Sequence, residues 1–259
     1  MGKKKILNTI ILIIALCVFA YSGYQLYLIL GDYKAIDEEY DTIRDAVVVQ
    51  DSVDVQEEVE DEEIKEIFQV DFDALRAINN DVIGWIRFDE PSEINYPIAQ
   101  GRDNNQYLYS SLEGKYLSAG TIFVDYQNDD DFRDENTVIY GHNMKNGSMF
   151  GRLRKFRNSE FCKENPYFYI YTPDGRTITY QVFAVKVVED TSATYDKIYA
   201  DAEEFQSYVD NIYKGALYTS KDVSVSAADR IVTLSTCTGE DNDRLVVFGV
   251  VVNEVMIGE

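Results

Sequence analysis

The chain has 259 residues, 46% of them hydrophobic and 13% aromatic, which is enough apolar surface for a core and excludes wholesale disorder. Its 46 acidic residues against 24 basic ones give a formal net charge of −22, which argues against nucleic acid as a partner because such a surface repels phosphate. One His and three Cys, with no CxxC spacing, exclude a zinc site and a disulfide framework.

The charge is unevenly placed. Lys3, Lys4 and Lys5 precede Ile6 to Leu30, 25 residues without a charge, long enough to cross a bilayer as a helix. Positive charge stays on the cytoplasmic side, so residues 1–30 read as a cytoplasmic tip and an uncleaved transmembrane signal anchor, in a single-pass protein of the cell membrane. A cleaved signal peptide fits less well, because the stretch is long for one and no A-x-A site follows. Residues 31–66 read as an acidic stalk, solvated and extended or loosely helical, with nine acidic residues and one Lys between Asp51 and Glu66. Residues 67–259 then form the folded extracellular domain.

Within that domain, Phe72, Leu75 and Ile78 share one side of a short helix that ends at the turn residues Asn79, Asn80 and Asp81. Strands are predicted over Val82–Arg87, Gly120–Val124, Thr137–Tyr140, Tyr167–Tyr171, Thr177–Val188, Arg230–Thr236 and Leu245–Val255, all rich in Val, Ile, Thr and aromatics. Thr172-Pro-Asp-Gly175 reads as a hairpin turn between two of them. A helix over Ser148–Arg157 is capped by Ser148. A second opens at Asp201-Ala-Glu-Glu as a capping box, with Phe205, Tyr208, Val209 and Ile212 at core spacing. Many strands and few long helices predict a mostly-β barrel or sandwich of about 190 residues.

Three residues stand out as chemistry. Cys17 lies in the anchor and Cys162 near a helix end, where packing is the default. Cys237 instead sits where the run Ile-Val-Thr-Leu-Ser-Thr stops, before the polar loop Thr238 to Asp243, and strand ends facing loops are where nucleophiles are commonly displayed. His142 follows another strand, between Gly141 and Asn143. A thiolate is a nucleophile and an imidazole the usual partner for its proton. Arg244 lies seven residues after Cys237, across a short loop, where a guanidinium can hydrogen-bond a developing oxyanion.

Thr233-Leu-Ser-Thr-Cys237 with Arg244 shortly after, and Tyr140-Gly-His142-Asn-Met upstream, resembles the sortase family of cysteine transpeptidases. The runs Tyr140 to Gly151, Tyr169 to Gly175, Asn80 to Ile86, Gln100 to Asn104 and Tyr107-Leu108 are similar to its class B branch, over roughly residues 70–255. The resemblance implies a closed eight-stranded β-barrel with N-terminal helices and a helix inserted near 201–213, between the sixth and seventh strands. It implies a membrane-anchored thiol endopeptidase and transpeptidase that needs no cofactor. Such an enzyme cleaves a C-terminal sorting motif of secreted proteins, holds the acyl fragment as a thioester, and passes it to an amine of peptidoglycan or of a pilin or other surface protein. Cys237 is then the nucleophile, His142 the acid/base and Arg244 the oxyanion or substrate clamp. Asn104, Leu108 and Tyr140 match substrate-contacting positions. Ser235 and Thr236 join them on the Cys237 strand, Ser235 on the same face as the Cys.

Two further clusters read as ordinary surface: the acidic Asp129–Asp131 as a solvated loop rather than a calcium site, and Arg152, Arg154, Lys155 and Arg157 as a helix exterior. Other cysteine enzymes fit less well. Papain-like proteases place Cys before His, on a helix, and L,D-transpeptidases keep a His close before the Cys, whereas the His here lies far upstream. A non-catalytic surface adhesin would carry its own C-terminal sorting signal, which the ending Val-Asn-Glu-Val-Met-Ile-Gly-Glu lacks.

Overall fold

A computed structural model describes residues 2–51, 67–239 and 242–256. The first helix, α1 (Gly2–Val47), is continuous, and it is long and apolar enough to cross a membrane. It runs well past Leu30, so the first part of the acidic stretch is helical, while residues 52–66 lie outside the described residues. The chain divides into two compact units, one through Asp41 and one from Thr42 onward. In the first, the large apolar side chains between Ile6 and Leu30 are exposed along the helix.

The second unit begins with a two-stranded antiparallel ribbon that the sequence did not announce: β1 (Val48–Asp51) pairs with β2 (Ile67–Val70). The predicted short helix follows as α2 (Phe72–Ile78). Asp71 caps it by accepting the N–H of Ala74 at 2.9 Å, and Leu75 is its buried residue.

Eight strands then close into a barrel. They are β3 (Val82–Phe88), β4 (Asn95–Gln100), β5 (Ile122–Val124), β6 (Asn136–Tyr140), β7 (Tyr167–Tyr171), β8 (Arg176–Glu189), β10 (Ile231–Cys237) and β11 (Asp243–Met256). The order around the barrel is β11-β10-β6-β5-β4-β3-β7-β8, and β8 pairs back onto β11 to close it. The two-residue β9 (Tyr218–Thr219) rides on β8 outside the ring. The closing pair is the longest, and register shifts after Phe248 and Val251 bend β11 around the curve. The β10–β6 and β4–β5 pairs are parallel; the rest are antiparallel.

The core is aromatic. Phe88, Phe168 and Tyr180 stack in series at 4.7 and 5.2 Å between ring centroids, with Trp85 and Phe156 also fully buried. Helix α4 (Ala202–Tyr213) is inserted between the sixth and seventh barrel strands, and Phe205, Tyr208, Val209 and Ile212 pack it onto Phe183 and Phe248. Asp201 caps it by accepting the N–H groups of Glu203 and Glu204, both at 3.0 Å.

Two expectations are corrected. Strand β4 was not anticipated, because Asn95-Tyr-Pro97 carries a turn-like signature. Pro97 is tolerated because it precedes Ile98, where pairing with β5 begins, and so has a strand neighbour on one side only. The segment after His142 is not an α-helix capped by Ser148. It is a 3-10 helix, Phe150–Arg157, entered through Met149 at φ 52°, with no side-chain cap. Asn158 then caps α3 (Ser159–Glu164) by accepting from Glu160.

Candidate active site

Barrel pairing brings the three chemical residues to one end of the sheet. Cys237 is the last residue of β10, and the antiparallel register sets Arg244 directly opposite it. On the other side, the parallel β6–β10 pair aligns Tyr140 with Ser235, and the Gly141 N–H continues that ladder to the Ser235 carbonyl at 3.2 Å. His142 therefore leaves β6 beside the strand that ends in Cys237. Asn143 ties the two ends together, its side-chain amide donating to the Cys237 carbonyl at 2.7 Å.

These residues line a cleft of about 640 Å³, whose walls include Asn104, Leu108, Tyr140, Ser235 and Thr236. All eight residues singled out from sequence thus border one space. Phe123, Asp190 and Tyr195 join them there without having been anticipated.

His142 is held by an unexpected partner. Its Nε2 lies 2.7 Å from the Leu108 carbonyl. A carbonyl only accepts, so Nε2 carries the hydrogen, and a neutral ring keeps its lone pair on Nδ1. Burial pushes the imidazole pKa down, and the bond to Leu108 offsets this only in part. Tyr109 packs on the ring at 5.3 Å between centroids. The Leu108 carbonyl is itself fixed by close backbone packing. Gly120, at φ 57°, passes so near that a Cβ there would fall 2.5 Å from the carbonyl oxygens of both Tyr107 and Leu108.

Arg244 is oriented by acidic and carbonyl groups. One Nη donates to Asp190 at 3.1 Å and the other to the Asp243 carbonyl at 3.2 Å. Ser235 is paired with the Tyr195 hydroxyl at 2.8 Å. Thr236 is buried, and its hydroxyl has no hydrogen-bond partner among the described residues.

Behind the cleft lies Asp125, 2% exposed at its side chain. One carboxylate oxygen, Oδ2, accepts from Asn104 at 2.9 Å, from the Tyr140 hydroxyl at 2.9 Å and from Lys197 at 3.3 Å. Burial pushes this carboxyl up, but the Gln127 N–H, Asn104, Lys197 and Tyr140 together hold it below the usual carboxylate value. Three cleft walls from distant parts of the chain thus meet on one buried anion. The short segment Ala193–Tyr195, which supplies Tyr195, leads directly to Lys197. No local pattern marks Asp125, Asp190 or Tyr195, because each acts through a partner far away in sequence.

The other cysteines are elsewhere. Cys162 is buried, its thiol donating to the Phe156 carbonyl at 3.0 Å, and burial pushes its pKa up to about 12. Cys17 lies on α1.

Comparison with known proteins agrees with this geometry. The family described as "Sortase domain" matches residues 90–252. Sortase B of Listeria monocytogenes is 34% identical over 269 residues, covering 98% of this chain and all of that one. The crystal structure of Bacillus anthracis sortase B in complex with AAEK1 superposes with a TM-score of 0.72 at 33% identity, covering 86% of this chain and 99% of that one. A Staphylococcus aureus sortase B–substrate complex gives 0.65 at 28% identity, over 72% of this chain and 85% of that one. Barrel order, inserted helix, motif positions and near full-length similarity converge, and the chain belongs to the sortase family, in its class B branch.

Proposed function

We propose that the protein is a membrane-anchored cysteine transpeptidase that cleaves a sorting motif near the C-terminus of secreted proteins and joins the acyl fragment to an amine. The observation that carries this reading is the strand-end register. It sets Cys237 opposite Arg244 and beside the β6 end that bears His142, in a cleft large enough for an extended peptide.

Each step follows from these groups. The Cys237 sulfur attacks the scissile carbonyl while neutral His142 takes the thiol proton. The carbonyl oxygen becomes an oxyanion, which the Arg244 guanidinium meets with directional N–H donors. His142 returns the proton to the leaving amine, the peptide C–N bond breaks, and a thioester remains on Cys237. Asn104, Leu108, Tyr140, Ser235 and Thr236 hold the motif. An acceptor amine of peptidoglycan or of another surface protein then attacks the thioester. Depressed basicity keeps His142 neutral at rest, the form that can take the thiol proton.

Residues 1–30 are assigned as the anchor, 31–66 as the stalk, of which Thr42–Asp51 already belong to the second compact unit, and 67–259 as the extracellular catalytic domain. The substrate complex of the Staphylococcus relative supports a peptide in the equivalent cleft. The test is incubation of the protein with a library of pentapeptide reporters, with and without a nucleophilic amine, followed by mass spectrometry. One sorting motif should be cleaved, with an acyl adduct on Cys237 and an amide product when the amine is present. Absence of cleavage across the library, or an adduct on Cys162, would overturn the reading.

A further inference from the structure

A second cleft, of about 380 Å³, opens on the other side of Cys237. It is bordered by Asn143, Thr236, Thr238 and Leu245, and by Arg154 and Arg157. We propose that Arg154 and Arg157 form an anion subsite for the acceptor, so that the amine that resolves the thioester carries a carboxylate or phosphate. This rests on Cys237 being the acylated residue.

The argument starts from the period of the helix that bears these arginines. In a 3-10 helix, residues three apart eclipse, so Phe150–Arg157 presents three separate rows. Phe150, Leu153 and Phe156 form the first and are fully buried. Arg152 and Lys155 form the second and are neutralised. Arg152 pairs with Glu93 at 2.9 Å, and Lys155 with Glu90 at 3.8 Å and Glu93 at 4.0 Å. Arg154 and Arg157 form the third, which borders the cleft. Both are exposed, and neither has an ion pair or hydrogen bond among the described residues. All four cations lie on the helix exterior, as the sequence reading has it, and this row also borders the cleft.

Two arginines one 3-10 turn apart, a backbone rise of about 6 Å, each carry a planar fork of donors that matches a carboxylate or phosphate. On a chain of net charge −22, an incoming anion is repelled nearly everywhere else.

The position relative to Cys237 assigns the ligand to the second half-reaction. While the acyl fragment fills the larger cleft, the sulfur stays accessible from this one. The acceptor nitrogen attacks the thioester carbonyl, a C–N bond forms, the C–S bond breaks, and the departing thiolate takes up the proton the amine has lost. Thioester and amine thus become amide and free Cys237 thiol, with no other reagent.

The experiment uses the full chain in detergent with one cleaved reporter peptide and three acceptors: triglycine, triglycine amide and aminoethyl phosphate. The quantity read is the ratio of acceptor kcat/KM for an anionic acceptor over triglycine amide. In the native chain the ratio should be about tenfold, the scale of one charge-assisted hydrogen bond. In R154A/R157A it should fall to about one, and R154K/R157K should retain an intermediate value. Preference for triglycine assigns the anion as a peptide carboxylate, and preference for aminoethyl phosphate assigns it as a phosphate. A native ratio near one for both anions, or a ratio the double substitution does not change, overturns the subsite. R154Q/R157Q gives the same reading if the alanine form does not fold. Mass spectrometry of acyl-Cys237 in the native chain separates the two failures. With no adduct, the catalytic assignment itself fails; with an adduct and a charge-blind ratio, only the subsite does.

Discussion

The two clefts that share Cys237 are built on opposite plans. In the larger one, Thr236 apart, the protein itself holds the polar side chains: Asn104 and Tyr140 converge with Lys197 on Asp125, Ser235 pairs with Tyr195, and Arg244 with Asp190. In the smaller one, Arg154 and Arg157 have no such partners among the described residues. A wall fixed by internal hydrogen bonds is preorganised and selects one shape. A wall of unpaired cations selects charge and tolerates variation in shape. That division suits the proposed reaction, in which the donor is one motif and the acceptor is an amine that carries an anion.

The largest effect should come from the atom common to both clefts. Cys237→Ala should abolish peptide cleavage and adduct formation while leaving the melting temperature nearly unchanged, since the side chain sits at a half-exposed strand end. An acyl adduct surviving in this variant would remove Cys237 from the mechanism.

Next comes the directional donor. Arg244→Lys should lose nearly as much as Arg244→Ala, on the order of 100- to 1,000-fold in kcat, or about 3–4 kcal/mol, with a smaller change in KM. Lys keeps the charge but replaces a planar fork with a point on a flexible stem. A Lys variant within about threefold of native activity would show that charge alone suffices, and would make the two clefts more alike than their structures suggest.

Asp125→Asn tests preorganisation of the larger cleft alone. It leaves the partly buried Lys197 without its counter-charge, and breaking a buried pair typically costs about 3–5 kcal/mol. The melting temperature should fall by roughly 6–20 °C on the usual scaling for a domain of this size. Donor-peptide KM should rise about tenfold, while the charge preference among acceptors stays as in the native chain. If donor and acceptor constants shift together, the two clefts are not independent.

A smaller signal comes from the only histidine in the chain, whose titration by NMR is therefore unambiguous. Burial should place its midpoint below 6.5 in the folded protein. The unfolded imidazole titrates near 6.5, so between the two values the unfolded chain binds more protons. The His142 contribution to stability is thus lost as pH falls through that window. A midpoint above 6.5 would contradict the neutral resting state. The smallest effect is expected from deleting residues 1–30, which should leave cleavage of soluble reporters within about twofold of native, because an anchor only localises the enzyme. A folded but inactive truncation would assign the helix a catalytic part.

The sequence by itself determined the strand ends that matter. Thr233 to Cys237 and Thr137 to Tyr140 are short β-rich runs stopped by polar loops, and such signals are local. The capped helix at Asp201, the hairpin turn at Thr172 and the long apolar helix before Leu30 were legible for the same reason. Phe150, Leu153 and Phe156 even carried the spacing of three that marks a 3-10 helix, though over eight residues it is easily taken for an α-helix. Only the tertiary structure decided what depends on pairing across long separations. The closing β8–β11 ladder, the Leu108 carbonyl on His142 and the meeting of Asn104, Tyr140 and Lys197 on Asp125 join residues up to 80 positions apart, from Arg176 to Met256. Local hydrophobic period fixes which residues form a strand and which face they show. It carries no information about which strand lies alongside, and that neighbour decides whether a carboxylate is buried against a lysine or an arginine row opens onto the sulfur.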